Sequence, residues 1–561
     1  MNLSYQNANP YAGRESVLVR IDGLLADQTV CILIDSGDGV DVDEMLADDE
    51  YLTAVCLTHA HLDHYRTLGE NLQDGAQVYA APDTARILED VYEAGARYHD
   101  FNQFDQVLDS LKPLEDWTTI VNGLRVRPLP AGHTPGAASL LFAIEDDDTQ
   151  RTVLATGDFS TRRAAGHPGF STDLPIDIDV LLLSAAANTE FEAQVTEALG
   201  TIYERARDGS TVLVTAGGLK GVHLGYLLGH FANDHASSIP IQLVGQTATL
   251  YEQLEYDVPG VTTTTEFTET TSVLEPGGVT IAGPDVPTVQ PGTSSARLFE
   301  TIKDDPGATL VQIPASGEPP VQTATCTVHQ YSLSNHPTRS TIDSVVESLE
   351  PIHVVILHQT GPEASQYKDK FDSFVWATND DKQYTLLNED GWTPPTWVSE
   401  WTEQRVAPHR SARRQLSDVL ARDETGLLFP SIDRQTTPDL AAEGVAIEQL
   451  TDRFQLRVSD SSVSAGDESP SSEATTATTS TPPSPSTASS SDSEIDETPA
   501  VAETLSSIDE RLAQVESTLG RRHYSARVLD VQDGVTVLRL DTELDGVETG
   551  DVLDVLEPNE S

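Results

Sequence analysis

The sequence predicts an α/β protein of layered, mixed sheets, and three observations predict it. Strand-like apolar runs alternate with helical patterns across residues 15–183. A second alternation of the same kind fills residues 190–325. A helix and a strand then return at 340–349 and 353–357. Such alternation lays helices over sheets, because each element must bury one apolar side against another layer.

In chain order, the first stretch predicts strands at 16–21, 30–34, 54–57, 77–80, 124–129, 138–144, 152–155 and 180–183. Each is a short apolar run bounded by polar or turn-forming residues. Helical patterns cover 84–98 and 104–111 between them. The second stretch reads as a helix at 191–207, a strand at 211–214, a helix at 222–231 and strands at 239–244 and 279–282. Pro351 ends the returning helix, and the strand behind it runs into His358.

Composition shifts after about residue 460. Residues 461–500 are mostly Ser, Thr, Pro, Asp and Glu, too polar to bury a core, and read as a disordered acidic linker. Beyond it Leu505, Ile508, Leu512, Val515 and Leu519 follow a 3-4 spacing. That is the seam of a short coiled coil, and so of a homo-oligomer, or one amphipathic helix packed on its own chain. Runs at 526–531 and 535–540 flank Gln532-Asp533-Gly534, a hairpin signal, and a further strand is expected at 552–556. Residues 501–561 thus predict a helix and a small β module.

The net charge of -57 arises from 33 Lys+Arg against 90 Asp+Glu. Nucleic-acid binders usually carry a basic footprint, which this is not. Concentrated salt, however, screens self-repulsion over a few ångström, and the pattern resembles adaptation to a salt-rich cytoplasm such as that of halophilic archaea. Net charge therefore excludes no polyanionic substrate. Cys31, Cys56 and Cys326 are an odd number in unrelated segments, which argues against a disulfide framework and for a reducing compartment. The N-terminus shows no basic-then-apolar leader, and no apolar run reaches membrane-spanning length. A cytoplasmic protein that uses no membrane is expected.

The chemistry concentrates in Thr58-His59-Ala60-His61-Leu62-Asp63-His64, directly after the 54–57 strand. Imidazole nitrogen and carboxylate oxygen are the donors that zinc and similar divalent ions prefer, and two ligand pairs suggest two ions. Further candidates stand at strand ends: His133 in Gly132-His133-Thr134, Asp158 in Thr156-Gly157-Asp158-Phe159-Ser160, and His358. Each alone is an ordinary loop residue. Together they complete two spheres, with His59, His61 and His133 around one ion, Asp63, His64 and His358 around the other, and Asp158 between them.

In that order, Thr-His-x-His-x-Asp-His, Gly-His-Thr and Thr-Gly-Asp-Phe-Ser resemble the metallo-β-lactamase superfamily. The resemblance implies a four-layer αββα fold and two divalent ions, zinc or else manganese. Ile34-Asp35-Ser36-Gly37 is similar to the family's early strand-end motif, in which the acid (here Asp35) orients a ligand histidine. Between Asp158 and His358 lie 200 positions (358 − 158) that hold an α/β unit, and Ser334-Asn335-His336 precedes the last ligand strand. Both resemble the β-CASP group of nucleases. The implied organisation is a metallo-β-lactamase domain at 1–188, a β-CASP-type insertion at 189–327, and a return with an extension at 328–460.

This resemblance implies RNA as substrate, with DNA as the alternative. It makes Asp63 and His336 the catalytic candidates, His336 as the general acid. Ser334, Lys220 and Arg162 become candidates for substrate binding. The chain departs from the group's pattern at Ser184, Lys220, Thr338 and Gln359, where an acid, Gly-Arg, Asp and Gly are usual. These departures keep two alternatives in view: a dinuclear hydrolase of small esters, and a catalytically weak scaffold in an RNA-processing complex.

Overall fold

A computed structural model describes residues 1–406, except 98, 100, 147–148, 236–238 and 316, then 429–454, 526–532 and 535–540. Two sheets face each other in its first unit, residues 1–466. The first has eight strands in the order Gly391–Trp392, Gln383–Asn388, Asn2–Asn7, Val17–Leu25, Gln28–Ile34, Tyr51–Leu57, Gln77–Ala80 and Leu111–Pro113. The second has seven: Phe374–Trp376, His353–Leu357, Val180–Ser184, Thr149–Ala155, Ala138–Asp146, Leu124–Pro130 and Thr118–Val121.

Strand alternation dictates the layering. Val17, Val19 and Ile21, with Val30, Ile32 and Ile34, share one core with Leu140, Phe142, Val153, Leu182 and Val355 of the second sheet. Their neighbours Leu18, Cys31 and Leu33 point the other way, toward Ile87, Leu88, Val91 and Tyr92 of the Pro82–Ala96 helix. That helix opens on a proline, whose missing N–H costs nothing in the first turn. On the outer face of the second sheet, Leu181, Leu183, Val354 and Ile356 pack against Ile342, Val345, Val346 and Leu349 of the Arg339–Leu349 helix. Sheets buried on both faces read as continuous apolar runs, which is why they stand out in the sequence. The result is the expected αββα stack.

A third sheet lies wholly between residues 211 and 330. Its six strands run in the order Val261–Thr264, Ile241–Val244, Val279–Ala282, Thr211–Ala216, Ala308–Ile313 and Thr327–Gln330. All are parallel. Helices Phe191–Arg207 and Gly218–Asp234 cover it.

The sequence had not foretold every strand. Asn2–Asn7 is too polar to stand out, yet Ser4 and Asn7 are buried in it, and Asn7 Nδ2 donates to Thr378 Oγ1 at 3.0 Å. In the second unit, residues 467–561, strands Ala526–Gln532 and Val535–Leu540 pair antiparallel as the hairpin signal predicted. The linker 461–500, the seam 505–519 and the strand 552–556 lie outside the described residues. Cys31, Cys56 and Cys326 are buried and unpaired. No helix among the described residues is long and apolar enough to cross a membrane.

Candidate metal centre

Every expected metal ligand lies past the end of a sheet strand, on a loop or, for Asp63 and His64, in the short helix Leu62–Tyr65. His59–His64 follows Tyr51–Leu57, His133 follows Leu124–Pro130, Asp158 follows Thr149–Ala155, and His358 follows His353–Leu357. Three residues of the site hold the left-handed backbone that side chains seldom adopt: Asp35 at φ 57°, His133 at 50° and His358 at 55°. Gly157, at φ 55°, shows why the Asp158 loop needs glycine, since a Cβ there would lie 2.6 Å from that of Thr58.

Three imidazoles converge at the centre. His59 Nε2 and His133 Nε2 stand 3.0 and 3.1 Å from His61 Nδ1. Their far nitrogens are held as donors. His133 Nδ1 donates to the Asn335 carbonyl at 3.2 Å. Thr58 Oγ1 donates to Asp35 Oδ2 at 2.8 Å, which leaves it to accept from His59 Nδ1 at 3.0 Å. His64 Nδ1 donates to Asp35 Oδ2 at 2.8 Å, and its Nε2 is buried without a hydrogen-bond partner. Lone pairs aimed at one another with no proton between them suit a cation. His59, His61 and His133, and likewise His59, His64 and Asp158, hold their ligand atoms within 4.8 Å of one another. The residues therefore fit divalent metal.

The remaining candidates close around this point. Asp158 Oδ1 accepts from His358 Nδ1 at 2.8 Å and from Ser184 Oγ at 2.7 Å, while its Oδ2 lies 3.6 Å from His64 Nε2 and 3.8 Å from His133 Nε2. Exposed Asp63 stands 3.9 Å from His64 Nε2. His336 Nε2 is 3.9 Å from Asp158 Oδ2, and its ring lies 4.7 Å from that of His133.

Burial and the crowd of neighbouring imidazoles keep His59 far below the ordinary histidine range. Burial likewise holds His61 down at about 4. For His358, burial favours the neutral ring, but the Asp158 carboxylate overrides it and pushes the pKa up to about 9. Burial lowers His336, against the Asp158 carboxylate, which pulls the other way.

A cleft of about 790 Å³ opens over this centre, with His61, Asp63, His133, Lys220, His336 and His358 on its walls. Its opposite wall is formed by residues just beyond strands of the third sheet, including Gly217, Gln246, Asp285 and Ala315. Ser334 also lines it. Arg162 does not fit the expectation of a free phosphate contact. Its Nε donates to Asn335 Oδ1 at 3.0 Å, its Nη2 to the His336 carbonyl at 2.5 Å and its Nη1 to Glu192 at 3.3 Å. Thr58, Asn335 and Ser184 act in the site without having been expected there: Thr58 and Asn335 stood inside motifs read for their histidines, and Ser184 was noted only where an acid is usual.

Comparison with known proteins agrees with this geometry. Residues 16–237 match the family model of the metallo-beta-lactamase superfamily. The matched segment is less than half of the chain and contains His59, His61, Asp63, His64, His133 and Asp158. Over 180 residues, 30% of this chain and 40% of the relative, the sequence is 29% identical to a ribonuclease of Thermus thermophilus. Over 111 residues, 20% of this chain and 9% of the relative, it is 33% identical to the DNA cross-link repair 1A protein of Homo sapiens. The aligned segments thus span less than half of either relative. Among solved structures, a protein of unknown function from Enterococcus faecalis is similar at 14% identity, covering 69% of this chain and 99% of that one, with a TM-score of 0.49.

Proposed function

We propose that the protein is a phosphodiester hydrolase with two divalent ions, zinc by the nitrogen-rich donor set, and that it cleaves RNA in the manner of the β-CASP nucleases. The observation that carries this reading is the convergence of His59, His61, His133 and Asp158 on the floor of a long cleft. Ions there supply Lewis acidity, making water nucleophilic near neutral pH and offsetting charge on phosphoryl oxygens.

The chain's own residues do the rest. His59, His61 and His133 would hold one ion and Asp63, His64 and His358 the other, with Asp158 available to both. Asp63 also faces the cleft, where it can orient the attacking water. His336 lines the same cleft, 3.9 Å from Asp158, and is placed to protonate the departing oxygen. Lys220 and Ser334 line the path of the phosphate backbone. The names of the two curated relatives, a ribonuclease and a DNA cross-link repair protein, support a nucleic-acid substrate, and the separate sheet at 211–330 supports an inserted substrate-binding unit.

The test is metal stoichiometry on the full chain in concentrated KCl, with labelled RNA, labelled DNA and small esters assayed in parallel. Two ions and RNA cleavage are expected. Ester hydrolysis alone would favour the small-substrate hydrolase, and bound ions without any turnover would favour the scaffold. His336→Ala should retain its ions and lose about 10²–10⁴-fold in RNA cleavage. Unchanged cleavage in that variant would sink the assignment of the acid.

A further inference from the structure

The loop 334–337 carries His336 but belongs to none of the sheets, so something outside the strand ladders must place it. Asn188 Nδ2 donates to the Ser334 carbonyl at 2.7 Å, and Asn188 N to the Pro337 carbonyl at 2.9 Å. Asn335 Nδ2 donates to the Arg163 carbonyl at 3.4 Å, and a further anchor is Arg162, four residues past Asp158. Its planar fork reaches Asn335 Oδ1 and the His336 carbonyl together, and its guanidinium lies 4.8 Å over the Phe191 ring. Asn335 is buried, and its own carbonyl takes the proton of His133 Nδ1. One side chain thus touches the segment that sets both the metal-facing nitrogen of His133 and the position of His336.

We propose that Arg162 is a positioning residue that couples the Asp158 loop to the His336 loop through Asn335, instead of binding substrate phosphate. The inference rests on the reading of His336 as proton donor and specifies how that donor is held. Guanidinium suits the task because it serves two acceptors in one plane, which an ammonium does not. Glu192 beside Nη1 completes the partners of the fork.

The experiment compares Arg162→Ala, Arg162→Lys, Asn335→Ala, Asn335→Asp and the double alanine variant, as full chains in concentrated KCl. Hydrogen exchange of the 333–338 segment is read without regard to turnover. Arg162→Ala and Asn335→Ala should each raise it, Arg162→Lys should raise it less, and Asn335→Asp, which keeps the Oδ1 acceptor, should leave it near wild type. On RNA, kcat should fall about tenfold or more in the alanine variants, with KM and the salt dependence of binding nearly unchanged. The double variant should be no worse than the worse single one, as for residues acting as one unit. A raised KM with a shallower salt slope in Arg162→Ala, together with a silent Asn335→Ala, would overturn the proposal in favour of a phosphate contact. Unchanged exchange in both alanine variants would overturn it as well. If the wild-type chain cleaves no RNA, the nuclease reading fails, and the exchange data alone decide whether Arg162 holds the loop.

Discussion

An imidazole offers a metal its lone pair only while the other ring nitrogen keeps the proton. Asp35 enforces this for His64 directly and for His59 through Thr58, whose backbone N–H and hydroxyl both donate to the same carboxylate at 2.8 Å. Asparagine in its place would present an N–H₂ where an acceptor is needed. Asp35→Asn should therefore weaken metal affinity by about 10–100-fold while leaving every direct ligand in place. A competitive zinc titration reads this, and wild-type affinity would refute the relay. The His59–His64 cluster was legible in the sequence because its donors are sequence neighbours on one loop. Arg162 was singled out only as a phosphate contact; its hold on Asn335 was not legible, because Asn335 lies 173 positions away and only the fold brings them together.

Among the elements, the segment 429–454 shows what a sequence pattern conceals. Glu443 is fully buried and accepts from Ala165 N at 2.8 Å, Gly166 N at 2.7 Å and His223 Nε2 at 2.8 Å. The Arg163 N–H donates to the Ala442 carbonyl, so the segment braces the stretch that follows the Asp158 loop. Glu443→Ala would strand all three donors and should destabilise the fold by about 3–5 kcal/mol, seen as a lower urea midpoint. A midpoint within error of wild type would mean that water replaces the carboxylate. Read as sequence, this stretch was only an extension after the last ligand, since it has no strong periodicity and its partners lie 220 to 278 positions away.

The same brace predicts a response to acid. Burial, followed by the nearby Arg434, holds His167 down at about 4, against about 6.5 for an exposed histidine. Between these values the unfolded chain binds the proton and the folded one does not. The stabilisation is complete above about pH 6.5 and is lost as pH falls toward 4, a change on the order of 3 kcal/mol. His167→Gln should flatten the stability profile across that window in denaturant titrations at several pH values. An undiminished slope would place the proton uptake elsewhere.

On the scale of the whole molecule, the layered fold was legible wherever strands are apolar on both faces. It was obscure at the polar inner strand Asn2–Asn7, where buried side chains are satisfied by hydrogen bonds. Net charge is the other property of the entire chain, and at -57 it sets a physical condition on stability. At 0.1 M salt the Debye length is about 10 Å, long enough for neighbouring surface carboxylates to repel one another; at 1 M it is about 3 Å. Folding concentrates that charge, so repulsion weighs against the compact state and salt relieves it. The melting temperature should rise by roughly 5–10 °C between 0.1 and 1 M KCl and then level off as screening nears completion. Sodium chloride should match potassium chloride, because screening depends on ionic strength, and sucrose should not reproduce the rise with its early plateau. A melting temperature that stays flat with KCl would show that the carboxylates are already compensated within the fold. A rise confined to potassium would assign the effect to bound cations instead of screening.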